Sequence, residues 1–165
     1  MVDHAADIEK IRAQEAALVF DRFGELEAAT IGLALRETCL AAGHPVSIDI
    51  RLWDRQLFFV GLPGTKTDHQ EWIRRKSNVV RRFHRSSYLQ GLILAHEKGG
   101  QWRWDDGVDP ADYATHGGAF PIRLSGLIIG AVTISGLRQR QDHELVVEAL
   151  CRHLGKDYAA LRLPD

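Results

Sequence analysis

Two apolar, β-branched runs, residues 119–124 and 128–134, stand close together in the chain with glycine at their edges. His116-Gly117-Gly118 leads into the first run, Ser125-Gly126 follows it, and Ser135-Gly136 closes the second. Runs of this kind favour strands, and Ser-Gly between them signals a hairpin. A Gly-Gly pair ahead of a strand lets the backbone take φ > 0 or approach another group closely. The chain must then turn at Gly136 before a helix that begins near Gln141. A ligand packed against these edges would meet backbone amides. The candidate ligand-binding residues are therefore His116, Gly117, Gly118, Phe120, Pro121, Ser135 and Gly136, with Asp142 and His143 at the helix start.

The rest of the chain supplies helices. Residues 7–14 read as a short helix and 18–20 as a short strand. Residues 25–42 read as a helix with Leu26, Ala29, Leu33 and Leu40 inward and Gly43 as its stop. Residues 46–52 and 57–60 form a second hairpin, 62–65 a loop, and 67–86 one long helix. Residues 89–107 look irregular, and 141–156 form the last helix. Two hairpins interleaved with long helices predict an α+β fold, an antiparallel sheet flanked by helices. At 165 residues, 1–165 is expected to be a single domain.

Composition excludes several classes. A formal net charge of −1 points to neither nucleic acid nor a membrane surface. The polar start, Met1-Val2-Asp3-His4, has no apolar core of a leader, and no run approaches the ~18 apolar residues of a membrane span. Cys39 and Cys151 are far apart and lack metal spacing, which suits a reducing compartment. A cytoplasmic protein with no metal site is expected.

On the 67–86 helix, Trp72, Ile73, Val79, Val80 and Phe83 make one apolar stripe, with Lys76 in its middle. A lysine there must snorkel, pair, or lower its pKa. Arg74, Arg75, Arg81, Arg82 and Arg85 fall on the opposite face. They read as an anion site, as a solvated helix face, or as a face that meets acidic residues across an oligomer interface. On the last helix, Asp142 and His153 share a stripe with Leu145, Val146, Ala149 and Leu150, so Asp142 turns toward the sheet. Lys76 and Asp142 are expected to meet in one partly buried cluster, and they are the candidate catalytic pair. Among eight histidines, His69, His84, His116 and His143 are the candidate ligands, and His116 is best placed for a flat group. Trp102-Arg103-Trp104 reads as a ligand lid or an oligomer contact.

Gly117-Gly118-x-x-Pro121-Ile122, then Gly126, Gly130-Ala131, Ser135-Gly136 and Asp142, resemble the haem-degrading-domain superfamily of the HbpS and GlcG type. The spelling around His116, Ile134-Ser135-Gly136-Leu137 and Gln141-Asp142-His143 is nearer to the branch called uncharacterised protein family 0303. Gln14-Glu15, Leu62-Pro63-Gly64-Thr65, Trp72-Ile73-Arg74-Arg75-Lys76 and Ser86-Ser87 also look like that branch. The resemblance implies a profilin-like layered sandwich, a closed homo-oligomer, and a haem- or tetrapyrrole-related role or one accessory to a metabolic enzyme. Three readings are carried forward. The first is a homo-oligomeric binder of a small anionic or planar ligand, with haem as a candidate cofactor. The second is a lyase or hydrolase using Lys76 and Asp142, and the third a protein-binding adaptor.

Overall fold

The computed structural model describes residues 4–164, so the polar start at residues 1–3 lies outside it. In chain order the elements are α1 (His4–Ala17), β1 (Val19–Phe20), α2 (Glu25–Ala41), β2 (Ser47–Leu52) and β3 (Gln56–Gly61). Then come α3 (Asp68–Phe83), α4 (Ser87–Lys98), a 3-10 turn (Trp104–Asp106), β4 (Ala119–Leu124), β5 (Leu127–Ser135), α5 (Gln139–Leu154) and α6 (Tyr158–Leu161). The strands form one sheet in the order β1-β4-β5-β2-β3. Pairing is antiparallel except at the edge, where the two-residue β1 runs parallel to β4.

The glycine-edged hairpin is β4–β5. Ser125 and Gly126 both take positive φ, 48° and 83°, the geometry that matches a two-residue loop to the right-handed twist of its strands. Alternation then sorts the side chains. Phe120 pairs with Val132, and with Ile122, Ile134, Ile48 and Ile50 they meet α2 and α5 in the main core. Each such buried side chain contributes roughly 1.5–3 kcal/mol. The opposite face carries small residues, and α3 lies on it through Val80 against Ala119 and Ala131. The result is the layered α+β sandwich expected, with the sheet between α2/α5 and α3.

Three expectations are corrected. The 67–86 helix breaks at His84, which takes a left-handed φ of 56°. Ser86 then caps a new helix by accepting the Leu89 N–H at 3.2 Å. Residues 89–98 are thus helical rather than irregular. Tyr88, Leu89 and Leu92 pack on Ile8 and Ile11 of α1, a contact no local pattern announces. In α2 the buried face is Ala28, Ile31, Gly32, Leu35 and Cys39, while Leu26 is 79% and Leu33 52% exposed. The helix is apolar on several sides, so its period does not choose a face. Gly32 chooses it: the Phe58 ring sits so close that a Cβ there would lie 2.5 Å from it.

Candidate functional site

A pocket of about 290 Å³ opens where the N-terminal ends of α3 and α5 approach each other. The α3 end supplies Lys66, Asp68, His69 and Trp72, and the α5 side supplies Gly136, Leu137, Gln139 and Asp142. Lys76, Ser135 and His116 complete the lining. Neither helix has a side-chain hydrogen bond at its N-cap, Thr67 or Arg138. First-turn amides and the positive end of each helix dipole therefore favour an anion here.

Lys76 sits in the pocket wall at 3% exposure. The apolar stripe of α3 fixes it there, and its Nζ donates to Asp142 Oδ2 at 3.0 Å and to Ile134 O at 3.1 Å. An ammonium has three donors, so one remains. Asp142 is 1% exposed and also accepts the Leu137 N–H at 3.0 Å and the Gly136 N–H at 3.4 Å. It thus closes the β5–α5 turn from the first turn of α5. Burial pushes the Lys76 amine below its ordinary pKa, against the pull of Asp142. Burial likewise pushes the Asp142 carboxyl up, against the pull of Lys76 and the two amides. Gly118 makes the meeting possible. Its φ is +131°, and a Cβ on it would fall 2.3 Å from Ile134 O and 2.9 Å from Lys76 Nζ.

His116 stands exposed at the rim, edge-on to Trp72 with ring centroids 4.9 Å apart. Partial burial lowers its pKa, helped by the charges of Lys76 and Arg75, so the imidazole is neutral at pH 7. Arg75 lies over the Trp72 ring at 4.8 Å. His69 turns a buried Nδ1 without a hydrogen-bond partner among the described residues.

The structure brings together Lys76, Asp142, His116, Ser135 and Gly136, with Gly117 and Gly118 directly behind them. It does not bring Phe120, Pro121 or His143 into the pocket. Phe120 and Pro121 are buried within β4. His143 faces the core, where its Nε2 lies 2.8 Å from Gln14 Oε1. His84 is spent as the exposed C-cap of α3. Sequence reasoning passed over Lys66, Asp68, Leu137 and Gln139. The readable signal for the first two was Lys66-Thr67-Asp68, a cation beside a helix start.

The arginine face has an internal use. Arg74 pairs with Asp112 at 2.9 Å and Arg75 donates to Pro110 O at 2.7 Å. Arg82 donates to Gly107 O at 2.9 Å. Trp102 stacks on Phe83 with centroids 5.2 Å apart, while Trp104 is 94% exposed.

A family model described as "Haem degrading protein HbpS-like" matches residues 23–151. A UPF0303 protein of Acidobacterium capsulatum is 52% identical over 162 residues, covering 98% of each chain. The crystal structure of Ybr137w protein superposes with a TM-score of 0.80 at 29% identity, over 90% of this chain and 87% of that one. A PduOC:haem complex shares the fold, with a TM-score of 0.66 at 16% identity over 78% and 93% of the two chains.

Proposed function

Since the chain belongs to the family of HbpS-like haem-degrading proteins, we propose that it binds a small anionic ligand in the pocket between α3 and α5. One observation carries the reading: two helix N-termini without side-chain caps converge on a pocket that also holds Lys66 and the buried Lys76. The formal charges of the lining cancel, Lys66 and Lys76 against Asp68 and Asp142, so the positive field comes from the two helix ends. Its volume, about 290 Å³, suits a ligand at the small end of the ~300–1,000 Å³ range. Carboxylates are the natural class. Titration calorimetry with lactate should give saturable binding that Lys66→Glu weakens about tenfold, roughly 1.4 kcal/mol. Heats equal to dilution for lactate and for larger carboxylates alike would overturn the reading.

Haem is the second reading, favoured by His116, whose neutral imidazole is available as an axial ligand. The pocket itself fits a macrocycle poorly. Trp72 and Leu137 are its only large apolar walls among the residues that line it. A hemin titration whose Soret band sharpens with the protein, and loses that sharpening in His116→Ala, would support haem. A band like that of hemin with an unrelated protein would remove it.

Assembly follows from the surface. Trp104 is 94% exposed beside Arg103, and Trp and Arg are enriched on surfaces that partners cover. We therefore expect a closed homo-oligomer. Light scattering should report a multiple of the 18.5 kDa chain mass, and a single-chain mass at micromolar concentration would refute it. No helix among the described residues is long and apolar enough to cross a membrane. Cys39 and Cys151 are buried and unpaired, which supports the cytoplasm as the compartment. Cell fractionation that finds the protein elsewhere would contradict this. A role accessory to a metabolic enzyme is compatible with such a binder. A pocket holding both Lys76 and Asp142 supports ligand chemistry over the adaptor role.

A further inference from the structure

Lys76 is an odd choice if the pocket needs only positive charge. Its ammonium is already neutralised by Asp142 at 3.0 Å, and the two helix ends supply the field. What Lys76 alone offers is an amine in contact with a carboxyl group, inside a pocket built for an anion. We propose that Lys76 forms a Schiff base with a carbonyl group on the ligand, so that the pocket takes small carbonyl-bearing carboxylates such as 2-oxo acids. This rests on the anion-binding reading above and narrows it.

Three features of the site support the step. The Lys76 amine is held in place by Ile134 O and Asp142 Oδ2, so it does not sweep a wide volume as a surface lysine does. Gly118 leaves room for the amine at this position, since a Cβ there would fall 2.9 Å from Nζ. Asp142 touches the amine directly, and two backbone amides fix that carboxyl in one orientation. Burial disfavours both charges of the pair, which eases proton transfer from ammonium to carboxylate.

The balance is simple. Lys76 ammonium gives one proton to Asp142, and the freed lone pair adds to the carbonyl carbon. Asp142 passes that proton to the carbonyl oxygen. A second proton leaves the nitrogen by the same route, the oxygen departs as water, and the C=N bond forms. Ammonium plus carbonyl gives iminium plus water, and Asp142 ends as it began. The carboxylate of the substrate would face Lys66 and the helix ends.

The full-length protein is incubated with pyruvate and cyanoborohydride, which reduces an iminium to a stable amine, and the label is mapped by peptide mass spectrometry. The expected result is one carboxyethyl group on Lys76, with Lys10, Lys66, Lys98 and Lys156 unmodified despite their access to solvent. Mapping the native chain needs no variant that risks unfolding. Label on exposed lysines in place of Lys76 would overturn the proposal. No label while lactate, which lacks the carbonyl, still binds would overturn it and leave the anion-binding reading standing. No label, and no binding of lactate, pyruvate or larger carboxylates, would overturn both.

Discussion

Lys76→Met is expected to destabilise the fold by about 3–5 kcal/mol, and Asp142→Asn by a similar amount, because each strands a buried charge. The pair is 4% and 1% exposed at the side chain. Without Lys76, the Asp142 carboxylate keeps only the Leu137 and Gly136 amides in a site burial already disfavours. In Asp142→Asn, Lys76 loses its counter-charge and is left with neutral acceptors, the Ile134 carbonyl and the amide oxygen of the new side chain. The double variant has neither stranded charge, so its loss should fall well short of the sum. Arg81→Met is the control. Arg81 is exposed and lies over the Trp53 ring at 5.9 Å, so its loss should cost about 0.5 kcal/mol, the order of a surface change. Urea denaturation of the four proteins and the control tests this. Additive losses, or a Lys76→Met midpoint no lower than that of Arg81→Met, would refute a coupled buried pair.

The second large effect is expected in acid and lies at His143. Gln14 donates its amide N–H to Leu161 O and Glu144 Oε1. Its carbonyl oxygen therefore faces His143 Nε2, which must carry the proton. Nδ1 is left buried without a hydrogen-bond partner among the described residues. Protonating it would put a second N–H, and a charge, against Tyr88 and Phe120. Burial, with the Arg140 charge adding to it, pushes the pKa from 6.5 down to about 3. Between those values the unfolded chain takes up a proton that the folded chain refuses. The stability from neutral His143 is complete above pH 6.5 and drains as pH falls toward 3. One such group changes stability by about 1.4 kcal/mol per pH unit, so roughly 2 kcal/mol goes between pH 6.5 and 5. Denaturation midpoints of the native protein and His143→Gln, taken at pH 7 and pH 5, isolate this from other groups. The variant should be weaker at pH 7 and lose less on acidification. Equal losses would sink the assignment.

The sequence made the hairpin and the Lys76 cluster legible for the same reason: each rests on a strong local contrast. Ser125-Gly126 has little use except as a tight turn, and a lysine inside an apolar helical stripe has to find a partner. The errors arose where the contrast was weak. Leu26 and Leu33 lie on a helix with apolar residues around it, and only the Phe58 ring against Gly32 selects the buried side. The break at His84 is fixed by Glu15, 71 residues before Ser86, accepting the Ser86 N–H at 2.7 Å. His143 read as a candidate ligand at a helix start, yet Gln14 from α1 meets it in the core. Contacts of that range leave no local trace.

Residues 99–118 contain one 3-10 turn and no other helix or strand, yet they deliver His116 to the pocket rim. Arg74, Arg75, Asn78 and Arg82 fasten the segment by donating to the carbonyl oxygens of Ala111, Pro110, Asp112 and Gly107. Every residue type has a carbonyl, so most of these anchors do not depend on what the segment spells. The side chains of Val108 and Ala111 therefore take no part in these anchors, while Asp109 holds the turn by accepting the Ala111 N–H at 2.8 Å. The outer face of α3, which looks like ordinary solvated surface, is the part that must not change.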